Sequence, residues 1–206
     1  MTTEIIIVRH GETEWNLLGK IQGVTNIQLT ENGKEQAVEL SDRLQKEGEL
    51  IVYSSPLDRA VYTANKISNN NTIIHEGLKE VNFGSWEGRT FPEIFETKLF
   101  QQFYNGEENG PFGDAGDSVV DCSQRNRKLI DEIAQKHPGK KIVLVSHGAW
   151  IRCSILGLMN LKDPIMYHNF HLGNTGITRF LLKNNRWVMT CFNDHTHLSK
   201  GNRSKI

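Results

Sequence analysis

Apolar residues follow two rhythms along this chain. Ile5 to Val8, Ile51 to Tyr53 and Ile142 to Val145 are short unbroken runs rich in β-branched residues, the pattern of strands covered on both faces. Between them the spacing turns helical. Thr30 stands as an N-cap ahead of Ala37, Leu40 and Leu44, which share one face, and Gly48 stops the segment after about Glu47. Ser55-Pro56 predicts the next helix start, with Ser as cap and Pro in the first helical position. Ile73-Ile74 predicts a further short strand. Ser118 opens a helix to about Lys136, with Asp121 at the capping-box position, and Ala149 to Leu158 predicts another helix. Ile177 to Leu182 and Trp187 to Phe192 pair as a hairpin turning over Lys183-Asn184-Asn185-Arg186. Residues 77 to 118 break the rhythm with glycines and one helix near Phe91 to Tyr104, which predicts an excursion over the sheet. Strands alternating with helices predict one α/β domain over 1–206, mostly parallel in its sheet, with a polar, frayed tail after about Leu198.

Composition narrows the function. In 206 residues, 24 Lys and Arg balance 24 Asp and Glu, so the formal charge is zero. That gives no basic excess for nucleic acid and no broad basic surface for a membrane. With 37% hydrophobic and 23% charged residues the chain sits in the globular range. Cys122, Cys153 and Cys191 are scattered and form no CxxC pair, which points to a reducing cytoplasm. Ile5 to Val8 is too short for a signal-peptide core or a membrane span.

Two strands end alike: the first in Arg9-His10-Gly11, the central one in Ser146-His147-Gly148. Open α/β sheets bind ligands outside the carboxyl ends of their strands, so as parallel neighbours these would bring both histidines to one crevice. Arg59 falls in the first turn of its helix, where the dipole is already positive. A surface pair with Asp58 or Asp42 is one explanation; a bound anion attracted by helix and guanidinium together is the other. Arg9 ends a buried strand, where an unpartnered cation is costly. Two guanidiniums and two imidazoles favour phosphate, whose oxygens match the planar fork. His195 and His197 could share a strand face, and His168 and His171 are near in sequence. No carboxylate or Cys completes a zinc pattern, so no metal or cofactor is expected. His75 and His137 read as surface or turn residues, and Trp86 as packing.

Taken together, Arg9-His10-Gly11-Glu12-Thr13 with Trp15-Asn16, Gln22-Gly23, Ser55 to Ala60 with Thr63-Ala64, Leu78-Lys79-Glu80 with Phe83 to Gly88, and Ser146-His147-Gly148 resemble the histidine phosphatase superfamily, in its phosphoglycerate-mutase-like branch. The resemblance runs from Ile5 to about His197. It implies a three-layer α/β sandwich, phosphoglycerate-mutase-like, with helices on both sheet faces. It implies His10 as the nucleophile that becomes phosphohistidine, with Arg9, Arg59 and His147 on the phosphoryl oxygens. Glu80 would be the general acid, and Asn16, Gln22, Gly23 and Gly148 would line the substrate site. By its own chemistry Glu80 also reads as a surface carboxylate beside Lys79, and Glu12 and Glu87 are alternative acids. The protonation state of His147 stays open, because the helix N-terminus and the phosphoryl charge pull in opposite directions.

That branch holds phosphatases and cofactor-dependent phosphoglycerate mutases. From Leu99 to Gln124 the chain has no Lys or Arg but carries Glu107, Glu108, Asp114, Asp117 and Asp121. An acidic rim, on an excursion shorter than the mutase lid, disfavours retention of a bisphosphate and favours water. The expectation is a metal-independent phosphomonoester phosphatase, cytoplasmic, a monomer or homodimer, acting on a small soluble phosphorylated metabolite; the alternative is the mutase.

Overall fold

In the computed structural model, residues 2–105, 111–114, 116, 118–199 and 201–202 are described. The order is β1 (Thr3–Arg9), α1 (Glu14–Leu17), α2 (Glu31–Leu44), β2 (Ile51–Ser54), α3 (Asp58–Ser68), β3 (Ile73–Ile74), α4 (Phe91–Phe95), α5 (Lys98–Tyr104), α6 (Val119–Lys136), β4 (Lys141–Ser146), α7 (Gly148–Met159), β5 (Ile177–Lys183) and β6 (Arg186–Asp194). Among the described residues one six-stranded sheet runs β3-β2-β4-β1-β5-β6. β1, β2, β3 and β4 are mutually parallel, and β5 and β6 run antiparallel along one edge.

Strand periodicity sorts the core into layers. Ile6, Val8, Val52, Val143 and Val145 point to one face and pack on Leu40 and Leu44 of α2 and Ala60, Ala64 and Ile67 of α3. Ile5, Ile7, Tyr53, Ile142 and Leu144 point to the other and pack on α6 and α7. Covering on both sides is why these strands read as unbroken apolar runs. The three-layer sandwich is as expected.

Several local expectations need correction. Ser55 does not cap α3 and Pro56 is not its first residue. The helix starts at Asp58, capped by Leu57 without a side-chain bond, and Ser55 is engaged elsewhere. The Phe91 to Tyr104 helix is two helices, because Thr97 caps a fresh start at Lys98. Ser118 does cap α6, accepting from the Asp121 N–H. The Asp121 carboxylate is too short to reach back to the backbone and takes the Ser118 hydroxyl instead. His195 and His197 lie beyond the end of β6, not on a strand face. The tail docks at two points: Ser199 N–H donates to Glu39, and Gln36 donates to the Asn202 carbonyl. The β5–β6 hairpin turns through Asn184 and Asn185, both at positive φ (48° and 59°), the geometry that Asn tolerates. Among the described residues no helix is long and apolar enough to cross a membrane.

Candidate active site

The ends of β1, β2 and β4 lie side by side. Arg9 pairs in register with Ser146, and His10 N–H donates to the Ser146 carbonyl at 3.0 Å. The two strand-end histidines therefore meet, with ring centroids 5.1 Å apart. His10 is buried, and its Nδ1 bonds the Gly11 carbonyl at 2.7 Å. A carbonyl only accepts, so Nδ1 carries the proton and the Nε2 lone pair is left free. Burial first, then Arg59 and Arg9, holds this imidazole well below its usual range, and so neutral.

Arg59 is 1% exposed, and Asp58 and Asp42 do not take it. Its Nη1 and Nη2 donate to the carbonyls of Thr25 and Gly23 at 2.8 and 2.7 Å. Arg9 Nη1 donates to the Leu172 carbonyl at 2.6 Å. In both side chains Nε is buried without a partner, and burial lowers both guanidiniums to about 10. His147 Nε2 bonds Ser55 Oγ at 2.7 Å, while its buried Nδ1 has no partner. Burial, then Arg59 and His10, keeps it well below the usual histidine range. His147 stands behind His10, away from the cavity wall that the other predicted residues form.

Glu80 accepts from Val81 N–H (2.9 Å) and from Ala149 and Trp150 N–H at the start of α7 (3.1 and 2.9 Å). Those bonds favour the carboxylate, but burial outweighs them and pushes the carboxyl above its usual value. The surface reading beside Lys79 is thereby excluded. Glu87 is no acid candidate either, since it clamps the loop by accepting from Val24, Thr25 and Phe83 N–H. Glu12 is buried and accepts from the Thr30 hydroxyl. Gly23, at φ +52°, fits only without a side chain: a Cβ would lie 1.9 Å from Glu87 Oε1. Asn16 spends Oδ1 on Thr13 and Asn174, leaving its amide nitrogen to donate. Gln22 is buried, with Oε1 lacking a partner.

Arg9, His10, Asn16, Gln22, Gly23, Arg59, Glu80 and Gly148 all line one cavity of about 520 Å³. Its far wall is aromatic: Phe91, Phe95, Phe100, Phe103, Tyr104 and Tyr167. Of the five acids expected at a rim, two are described. Asp114 is bound to Ser85 N–H, Asp121 to Ser118, and Glu107, Glu108 and Asp117 lie outside the described residues. Lys20 and Arg152, on other elements, do line the cavity. No cluster of His, Cys, Asp and Glu fit for a metal occurs among the described residues.

Some contributors were not foreseen. Thr175 N–H donates to the Arg9 carbonyl, Asn174 donates to the His10 carbonyl, Gly11 N–H donates to Thr63, and Ser55 holds His147. These contacts span 52 to 166 residues, a distance that no local pattern encodes. Arg152 did leave a signal: it lies four residues after Gly148 on one helix, and so on the same face.

This is the floor of a phosphoryl-transfer histidine enzyme. The sequence pattern of the histidine phosphatase superfamily (branch 1) matches residues 5–195, and the chain belongs to that superfamily; it is a phosphatase working through a phosphohistidine intermediate. It is 32% identical over 204 residues to the metal-independent phosphoserine phosphatase of Arabidopsis thaliana, covering 96% of this chain and 84% of that one. It is 47% identical to crystal structures of phosphoserine phosphatase from Entamoeba histolytica, covering 96% of this chain and 100% of that one. The TM-score is 0.92 for a histidine-to-alanine mutant in complex with phosphoserine and 0.91 for the complex with 3-phosphoglyceric acid.

Proposed function

We propose that this chain, acting as one catalytic domain, hydrolyses the phosphate ester of a small carboxylated metabolite, with O-phosphoserine foremost. The observation that carries the reading is the pair of buried donors without a partner on the two guanidiniums that share the cavity with His10: Arg9 Nε and Arg59 Nε. A buried donor left without an acceptor costs about 1–3 kcal/mol, more when charged. A phosphoryl group supplies acceptors for both. The similarity to phosphoserine phosphatases supports the same class of substrate.

The steps follow from the charges. His10 Nε2 attacks phosphorus, and the ester P–O bond breaks with its electron pair leaving on the alkoxide. Arg9 and Arg59 stabilise the charge spread over the equatorial oxygens, without reorganising at that moment. Glu80, whose carboxyl is raised above its usual value by burial, gives a proton to the alkoxide. As a carboxylate it then takes a proton from water. The resulting hydroxide attacks phosphorus, the N–P bond breaks, and its electron pair returns to Nε2. Glu80 leaves this step protonated and ready for the next substrate.

The test is phosphate release from O-phosphoserine by pure protein in excess chelator. Turnover that chelator leaves intact supports the reading; turnover restored only by divalent metal contradicts it. The mutase reading is supported by Lys20 and Arg152 beside the cavity, cations that a bisphosphate would use. Conversion of 3-phosphoglycerate to its 2-isomer without phosphate release would favour it.

A further inference from the structure

We infer that Arg152 selects the substrate, its guanidinium binding a carboxylate while Arg9 and Arg59 hold the phosphoryl group; the assignment rests on the phosphatase reading above. Arg152 lies on α7 one turn beyond Gly148, and both residues line the cavity. Its Nε donates to the Phe170 carbonyl at 2.7 Å, and its guanidinium carbon sits 5.1 Å from the centre of the Tyr167 ring. These contacts, with a hydrogen bond to the Tyr167 hydroxyl, fix the plane of the group and leave its remaining Nη–H donors, part of a fork matched to a carboxylate.

Three other arginines of the fold are neutralised. Arg127 pairs with Asp131, Arg43 with Glu47, and Arg179 with Glu4 and Glu47. Among the described residues no carboxylate lies within ion-pair distance of Arg152. It is instead close enough to Arg9 for the two cations to repel, the largest influence on Arg9 after burial. A second cation set beside a phosphate site is unfavourable unless the ligand brings a second anion. Its neighbours offer no substitute. His168 and His171 are held below the usual histidine range by burial, and Lys20 lies over the Trp15 ring at 5.8 Å. The ligands of the Entamoeba phosphatase fit this division. Phosphoserine and 3-phosphoglycerate differ at the middle carbon, ammonium against hydroxyl, but share the terminal carboxylate.

The experiment compares O-phosphoserine with O-phosphoethanolamine, the same ester without its carboxylate. The readout is the ratio of their kcat/KM values in the wild-type protein, in Arg152→Met, which keeps a stem over Tyr167, and in Arg152→Lys. The wild-type ratio should favour phosphoserine. Arg152→Met should lower that ratio by about 10- to 100-fold, mainly through KM for phosphoserine. Arg152→Lys, which keeps the charge but loses the fork, should lower it less, and it serves if the Met variant does not fold. A wild-type ratio near one, or both esters slowed equally by substitution, would overturn the assignment while leaving the phosphatase reading in place. Failure of the wild-type protein to hydrolyse either ester would overturn that reading, and the assignment with it.

Discussion

The floor and the far wall of the cavity are built on opposite plans. The floor gathers the ends of β1, β2 and β4 and the starts of α3 and α7. His10 and Arg59 are buried, Arg9 and Glu80 half-buried, and each is pinned by backbone: His10 by Gly11, Arg59 by Gly23 and Thr25, Arg9 by Leu172, Glu80 by Ala149 and Trp150. The far wall is aromatic rings, several packed edge to face, such as Trp86 on Phe100 and on Phe103. Phe91 is 56% exposed there and Tyr104 46%. Fixed dipoles suit a transition state whose charge distribution does not vary between substrates. Adaptable apolar surface suits the part of the substrate that does vary. On the proposed reading, reaction rate resides in the floor, and substrate choice in the wall together with Arg152 at its junction with α7.

The strongest way to break this division is Glu80→Gln, an isosteric change in the floor that removes the acid. It should lower kcat by about 10²–10⁴-fold with little change in KM. Burial raises the wild-type carboxyl and the proposed step needs its proton, so kcat should fall as pH rises through its value, and the variant should lose that alkaline limb. A parallel loss of kcat and KM-based selectivity would show that floor and wall are not separable.

Phe100→Ala addresses the wall. Phe100 is 4% exposed and packs on Trp86, Phe103 and Tyr104. Removing it should destabilise the protein by about 3 kcal/mol and raise KM for phosphoserine about tenfold, with kcat changed by less than about threefold. Steady-state kinetics beside calorimetry checks both. A large fall in kcat would place the wall in the chemistry.

The smallest effect is on stability against pH. His10 and His147 are neutral in the fold with values well below the ordinary one, and His197 is lowered to about 4, chiefly by burial. The unfolded chain binds protons there first. Their stabilisation is complete above about pH 6.5 and is lost progressively as pH falls toward the folded-state values. Tm should therefore drop between about pH 7 and 5. His147→Asn should flatten that slope more than His168→Asn, since His168 in the wall is only partly buried and less shifted. Equal slopes would contradict the contrast in burial.

The floor was largely legible in the sequence, and for physical reasons. Arg9, His10 and His147 follow apolar runs whose direction and burial are encoded locally, and Arg59 breaks a helix-dipole rule only a ligand explains. Glu80 was legible through family resemblance alone, because its burial depends on α7 arriving from nearly 70 residues away. Ser55 misled because cap and site compete for one hydroxyl: its partner is His147, 92 residues on. The wall misled more. Phe91, Phe95, Phe100 and Tyr104 show helical spacing, but where a helix breaks at Thr97 and which side faces the cavity are set by packing against residues 164–172. The acids counted from Leu99 to Gln124 were read as a rim, but the two that are described, Asp114 and Asp121, are spent on hydrogen bonds with Ser85 and Ser118.

The most direct test is to quench the protein within milliseconds of mixing with phosphate-labelled O-phosphoserine and to characterise any phosphoprotein that forms. The account predicts a phosphoprotein labile to acid and stable to base, with the label on His10, and none formed by His10→Ala although that variant folds and still binds phosphoserine. An acid-stable phosphoprotein, or one formed equally by His10→Ala, would contradict it.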